Sequence, residues 1–144
     1  MPTDTSAILR IILHWAKAQD AIRGLALVGS HARNEARTDS DIDLVLLADN
    51  PGKFRNKMSL AGIDWSEAGV HATRYTDEAY GVAWSRRLWL ETQREIEFTF
   101  VPLSWAAVSP VDEGTKQVVT DGFVVLLDPD GLLGQLVTAV ARMR

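Results

Sequence analysis

The sequence predicts an α+β fold in a single domain that spans residues 1–144. Three observations predict this class. Apolar residues recur at helical spacing near both ends of the chain, shorter apolar or alternating runs typical of strands occupy much of the middle, and turn residues separate these runs. A chain of this length is long enough to form a hydrophobic core of its own.

The predicted elements follow one another without an internal repeat. Asp4 offers an N-cap for a first helix, in which Ile8 and Ile12 belong to an apolar stripe and which runs to about Gln19. Asp130 is expected to cap the last helix. The elements predicted after the first helix are, in order, a strand at 22–28, a short helix starting at 31–34, a strand at 42–48, a helix at 53–60, strands at 71–76, 82–90 and 95–101, a helix at 110–119, a strand at 123–127 and a helix at 131–143.

The runs at 82–90 and 95–101 predict a hairpin. We expect its apolar side chains to face the core and Arg86 to face outward, where it would contact a phosphate or form a salt bridge with a glutamate of the second strand. The inward-facing residues of the first strand are expected to be Trp84, Leu88 and Leu90.

The composition argues against several classes of function. The chain has no cysteine, which excludes disulfides, thiol nucleophiles and cysteine-bound zinc. Its net charge of −4 makes nucleic acid an unexpected partner, although Arg86 and Arg87 are candidates for a local basic patch. No apolar run approaches the length of a membrane span, and the first residues lack the basic start of a secretory signal, so we expect a cytoplasmic protein.

The segment from Leu25 to Leu47 carries the most informative pattern. An apolar run ends in Gly29-Ser30, ten residues follow, and Asp41-Ile-Asp43 then begins a second apolar run. Alternate residues of a strand point to the same face, so Asp41 and Asp43 would lie side by side. Two neighbouring carboxylates repel each other, and a divalent cation such as Mg²⁺ would relieve this repulsion because it takes oxygen ligands.

A later strand supplies a candidate for a third carboxylate. In the run from Arg94 to Pro102, Glu95 and Glu97 share the polar face, opposite the apolar side chains of Ile96 and its alternate neighbours. Periodicity alone does not choose between the two glutamates.

Taken together, Gly-Ser, the ten-residue connector, Asp-x-Asp and the later apolar-Glu-apolar strand resemble the signature of the nucleotidyltransferase superfamily typified by DNA polymerase β. The pattern is most similar to its small bacterial members, the minimal nucleotidyltransferases and the catalytic domain of aminoglycoside nucleotidyltransferases. The resemblance implies the nucleotidyltransferase fold, with a mixed central sheet of about five strands flanked by helices.

The resemblance also implies roles for individual residues. Asp41 and Asp43 would bind two Mg²⁺ ions. Gly29 and Ser30 would hold the phosphates of the nucleotide at the start of a short helix, whose free N–H groups suit anions. Of the two glutamates the resemblance favours Glu97 as the third catalytic and metal-binding carboxylate, although many relatives have aspartate here. This group would accept the proton of the acceptor hydroxyl or help a metal ion to do so.

Three residues of the connector add to this interpretation. Relatives often carry an arginine at the position of Arg33, where it steadies the loop or contacts a phosphate. Asn34 stands where many relatives have glycine, and asparagine also tolerates the left-handed conformation that a helix end requires. Asp39 is expected to be a capping or turn residue, with a fourth catalytic carboxylate as the alternative.

By resemblance, the predicted reaction moves a nucleoside monophosphate, with AMP favoured, from an NTP to a hydroxyl of a small molecule or a protein and releases pyrophosphate. The sequence does not define the acceptor. Minimal nucleotidyltransferases of this size serve as antitoxins that adenylylate a small helical toxin. The alternative is therefore an antitoxin-like or regulatory binding module with weak or lost catalysis, and either function leaves room for a protein partner or a homo-oligomer.

Overall fold

In the part of the chain that the structure describes, a six-stranded mixed sheet forms the centre of the fold, in the order β3-β4-β5-β2-β1-β6. β2 and β5 run parallel, whereas the other neighbouring strands are antiparallel. This confirms the α+β class with one strand more than the resemblance implied. The strands are β1 Ile22–Val28, β2 Ile42–Ala48, β3 Ala72–Tyr80, β4 Ala83–Leu90, β5 Glu95–Pro102 and β6 Phe123–Leu127.

Five α-helices accompany the sheet in this computed structural model, which describes residues 4–37, 40–57 and 62–143. Asp39 and the end of the helix predicted at 53–60 lie outside the described residues. None of the helices within those ranges is long and apolar enough to cross a membrane. The helices are α1 Thr5–Lys17, α2 Gly29–Ala32, α3 Phe54–Lys57, α4 Glu113–Asp121 and α5 Leu132–Ala141.

The two faces of the sheet are covered differently. On one face α1 buries Ile8 and Ile12 completely against strand residues such as Leu25 and Leu46. On the other face α5 packs Leu133 and its neighbours against the opposite-facing residues of β1 and β2. A Cβ at Gly24 would lie 2.9 Å from Leu133 Cδ1, so the Leu133 side chain would have to shift if a larger residue stood at this position.

Charged, half-exposed side chains occupy the part of this second face nearest the starts of β2 and β5. They include Asp43 on β2, Arg87 on β4, and Glu95 and Glu97 on β5. Further along the same strands the side chains become apolar and join the core beneath α5. The fold therefore leaves one polar area of the sheet accessible beside a well-packed core.

The helix caps confirm one prediction and correct another. Asp4 accepts a hydrogen bond from the backbone N–H of Ser6, as expected of the N-cap of α1. Asp130 was expected to cap α5, but Asp128 does so by accepting from the N–H groups of Leu133 and Gly134, at 3.0 and 2.9 Å. Asp130 instead accepts from the Arg23 side chain at 2.7 Å. The cause is a left-handed residue at 131, which turns the chain so that the earlier aspartate faces the helix.

The orientation predicted for Arg86 is wrong. Its side chain is only 2% exposed and lies on the apolar face of β4 with Trp84 and Leu88, because residues two apart in a strand point the same way. Both Nε and Nη2 donate to the Asp77 carboxylate, at 2.7 and 2.8 Å, and this paired contact compensates the burial of the charge. It is Arg87 that faces the glutamates of β5.

Candidate active site

The antiparallel pairing of β1 and β2 brings the two parts of the first motif together. Val28, the last residue of β1, lies opposite Asp43, so the turn at Gly29 begins beside that carboxylate. Gly29 has φ +74°, which favours glycine, and a Cβ there would be 2.8 Å from Asp43 Oδ2. Both its conformation and the close carboxylate therefore require glycine at position 29.

The parallel pairing of β2 and β5 brings the second motif to the same place. Asp43 lies opposite Glu97, and Ile42 lies opposite Ile96, which puts Asp41 beside Glu95. All four acidic side chains belong to the same face of the sheet because alternate residues share a face. Both glutamates therefore join the carboxylate cluster, the name used below for Asp41, Asp43, Glu95 and Glu97.

Arg87 of β4 binds three members of the carboxylate cluster. Its Nη2 donates to Glu97 at 2.7 Å and its Nη1 donates to Glu95 at 2.9 Å. Nη1 also lies 3.5 Å from Asp41 Oδ2. Trp89, two residues further along β4, donates its indole N–H to Glu95 at 2.7 Å. The cluster is thus held together by donors from the neighbouring strand.

The crowding of negative charge changes the acidity of these groups. Burial, together with the charges of Glu97 and Asp41, raises the pKa of Asp43 to about 6. Burial, and then the hydrogen bond and charge of Glu95, raises the pKa of Asp41. Burial acts to raise the pKa of Glu95 as well, but hydrogen bonds from Trp89 and Arg87 outweigh it and lower the value. Asp43 is therefore the member whose negative charge is least compensated.

The donor set suits a hard divalent cation that arrives with a nucleotide. Within the described ranges the Asp43 carboxylate makes no hydrogen bond or ion pair, and no group of three or more Asp, Glu, His or Cys is arranged to hold a metal ion by itself. Mg²⁺ usually binds proteins through one or two carboxylates and completes its shell with water and substrate phosphates. Asp41 and Asp43 fit that mode of binding better than a preformed protein cage.

The connector is anchored beside the cluster by Arg94, whose contribution the sequence did not reveal. This side chain is buried, and its Nε donates to the carbonyl oxygen of Ser40 at 3.0 Å while Nη2 donates to Thr5 at 2.6 Å. His31 Nε2 lies 3.1 Å from the same Ser40 oxygen. These contacts hold the residue that precedes Asp41.

Arg33 joins the turn after β1 to the end of α4. It donates to the carbonyl oxygen of Asp121 at 3.1 Å and to Glu35 at 3.2 Å. These contacts suit the loop-steadying role, one of the two roles that the resemblance implies for this residue. Asn34 has φ +60°, so the left-handed conformation expected at this position is confirmed.

Arg87 is a site residue that the sequence interpretation missed, because it gave the position facing the glutamates to Arg86. Counting alternate positions from the buried Trp84 assigns Arg86 to the core face and Arg87 to the face of the glutamates. That signal was present in the sequence. The position of Arg94 had no comparable signal, because its partners Ser40 and Thr5 are distant along the chain.

Comparison with known proteins agrees with this geometry. A family profile described as a nucleotidyltransferase domain matches residues 9–102, more than half of the chain. The matched segment contains Gly29, the four carboxylates and Arg87, and it ends with β5. A search of curated proteins finds no match. Because both the matched length and the motifs along it agree, the chain belongs to the nucleotidyltransferase family.

Proposed function

We propose that this protein transfers a nucleoside monophosphate, with AMP favoured, from an NTP to an acceptor hydroxyl. The acceptor oxygen forms a bond to the α-phosphorus, the bond from that phosphorus to the bridging oxygen breaks, and pyrophosphate leaves. The observation that supports the proposal is the convergence of Asp41, Asp43 and Glu97 on one face of the sheet, next to the turn at Gly29. Membership of the family supports nucleotidyl transfer in general.

Asp41 and Asp43, with Glu97 as the third ligand, are the residues proposed to hold Mg²⁺, and two ions are expected from the resemblance. When bound, the metal supplies positive charge against the phosphates and the developing charge of the transfer. ATP is the proposed donor because of the resemblance alone. A cytoplasmic location is likewise part of the proposal.

The protein's own groups bind the nucleotide and prepare the acceptor. Gly29 and Ser30 are proposed to bind the triphosphate through backbone N–H groups and the serine hydroxyl. Glu97 is proposed to accept the proton from the acceptor hydroxyl, since it lies opposite Asp43 and next to the open part of the sheet. Arg33 holds the turn against α4 and so keeps the phosphate-binding segment in place.

An exposed apolar turn supports a second candidate function. Tyr80 and Val82, at the turn between β3 and β4, are 54% and 75% exposed. Such side chains suit contact with another protein, so the rival proposal is a binding module with weak or lost catalysis. Replacing both Asp41 and Asp43 by asparagine separates the two: an enzyme loses its function, whereas a module that acts by contact keeps it.

The test of the main proposal is calorimetric titration of MgATP, and then of the other NTPs, into the wild-type protein and Asp43→Asn. We expect magnesium-dependent binding that the substitution abolishes. Asp49→Asn is the matched control, since Asp49 is an exposed carboxylate directly after the same strand, and this variant should bind like the wild type. Absence of binding for all four NTPs would refute the proposed enzyme and favour the binding module.

A further inference from the structure

Arg87 lies among the side chains of the carboxylate cluster, and the proposed reaction assigns it no role. Its guanidinium binds Glu97, Glu95 and Asp41 at 2.7, 2.9 and 3.5 Å. One cation on β4 thus compensates carboxylates from β5 and from the residue that precedes β2.

This arrangement competes with a divalent cation for the same carboxylates. Nη2 of Arg87 donates to one oxygen of Glu97, and Nη1 lies 3.5 Å from one oxygen of Asp41, so a metal ion would have to share these two carboxylates with a guanidinium. The two positive charges would repel each other. Binding of a cation to Glu97 and Asp41 therefore favours the release of Arg87 from them.

The surroundings allow Arg87 to move, in contrast to the arginine before it. The Arg87 side chain is 40% exposed, whereas Arg86 is buried and held by Asp77. A cavity of about 380 Å³ lies beside Arg87 on the open face of β3, β4 and β5. Its lining consists of polar residues: Thr76, Asp77, Glu78, Ser85, Arg87 and Glu97.

We propose that Arg87 is a nucleotide-binding residue, which leaves the carboxylates when a divalent cation and an NTP bind together and then donates to a phosphate oxygen. This inference rests on the proposed function. The planar fork of donors that now binds two glutamates also matches a phosphate group. The triphosphate would bring negative charge to the same face of the sheet and so replace the carboxylate contacts that Arg87 gives up.

The exchange of partners by Arg87 couples the affinity for the cation to the affinity for the nucleotide. Without nucleotide, Arg87 competes with the metal ion for Glu97 and Asp41, so the cation binds weakly. With nucleotide, the phosphates draw Arg87 away, and each ligand strengthens the binding of the other. A permanent ion pair that only joins β4 to β5 would give no such coupling, because Arg87 would keep its carboxylates in both states.

Two affinities of the Arg87→Gln variant distinguish an arginine that exchanges partners from a permanent ion pair. The first is for Mn²⁺ alone, followed by electron paramagnetic resonance, and the second is for ATP at saturating Mn²⁺, followed by calorimetry. We expect Mn²⁺ alone to bind about tenfold more tightly, because the variant has no guanidinium that competes for the carboxylates. We expect ATP to bind about tenfold more weakly, because it loses charge-assisted hydrogen bonds from Arg87. ATP affinity that is unchanged or higher in the variant would overturn the inference.

The matched control is Arg23→Gln. Arg23 is a strand residue of similar exposure whose ion pair, with Asp130, lies elsewhere on the sheet, so both affinities should stay at the wild-type values. Should Arg87→Gln not fold, Arg87→Lys keeps the charge but loses the fork. This variant is expected to bind ATP several-fold more weakly, and wild-type affinity would overturn the inference.

The failure of the inference is distinguishable from that of the proposed function. A wild-type protein that binds Mn²⁺ but no nucleotide would overturn both. A wild-type protein that binds ATP with Mn²⁺, together with an Arg87→Gln variant that binds it equally well, would overturn only the assignment of Arg87.

Discussion

Asp43→Asn is expected to stabilise the protein at neutral pH while it abolishes magnesium-dependent nucleotide binding. Burial and the neighbouring carboxylates raise the pKa of Asp43 from its ordinary 3.8 to about 6 in the folded state. A raised pKa means that the folded state binds protons more tightly than the unfolded chain. Stability that comes from protonated Asp43 is therefore present below pH 4 and lost as the pH rises through 6.

The size of this effect follows from the two pKa values. The difference between 3.8 and about 6 corresponds to roughly 3 kcal/mol, and solvent screening of the partly exposed side chain reduces it to about 1–2 kcal/mol. Asparagine carries no charge at any pH, so the variant should gain this free energy of unfolding above pH 7 and little of it at pH 4. For a chain of this size the midpoint of thermal unfolding would rise by about 3 to 6 °C.

Urea unfolding at pH 4 and pH 7.5 measures the gain directly, with Asp49→Asn as the control. The control removes an exposed carboxylate and should change the free energy of unfolding little at either pH. An Asp43→Asn variant that is less stable than the wild type at pH 7.5, or whose difference from it does not depend on pH, would refute the electrostatic argument. It would show instead that the carboxylate is well accommodated in the fold.

Three further predictions concern positions where the structure leaves little freedom. Gly29→Ala should lower the free energy of unfolding by about 1–3 kcal/mol in a thermal melt, because alanine is strained at φ +74° and its Cβ meets a carboxylate oxygen; a neutral effect would mean that the turn relaxes. Asp128→Ala should lower the free energy of unfolding by about 1 kcal/mol, because it removes the cap of α5. A larger loss for Asp130→Ala than for Asp128→Ala in the same urea titration would contradict this assignment of the cap. Arg86→Ala should cost about 3 kcal/mol or more, because it leaves Asp77 half-buried without its bidentate partner, and a loss below 1 kcal/mol in chemical unfolding would contradict this.

The two strands on either side of the first motif were predictable from the sequence, whereas the short helix between them begins at Gly29, earlier than the predicted 31–34. The strands expected at 22–28 and 42–48 have those boundaries in the structure, and the left-handed conformation at Asn34 is also present. These features depend on neighbouring residues: apolar runs bounded by turn residues, and the tolerance of asparagine for positive φ. Tertiary packing did not override these local conformational preferences.

Two predictions failed for different reasons. The outward orientation of Arg86 contradicted the two-residue period of a strand and was avoidable from the sequence. The cap of α5 was not, because Asp128 and Asp130 both precede the helix closely and the left-handed turn at Gly131 decides which of them faces its first N–H groups.

The sequence by itself determined which groups this protein offers for chemistry: a glycine turn, paired aspartates and a strand with two glutamates. Only the tertiary structure decided how they meet. The parallel pairing that puts Asp43 opposite Glu97 joins segments far apart in the chain, and Arg87 reaches them from a third strand. Local sequence patterns specify periodicity, whereas the register between distant strands depends on how their apolar faces pack beneath α1 and α5.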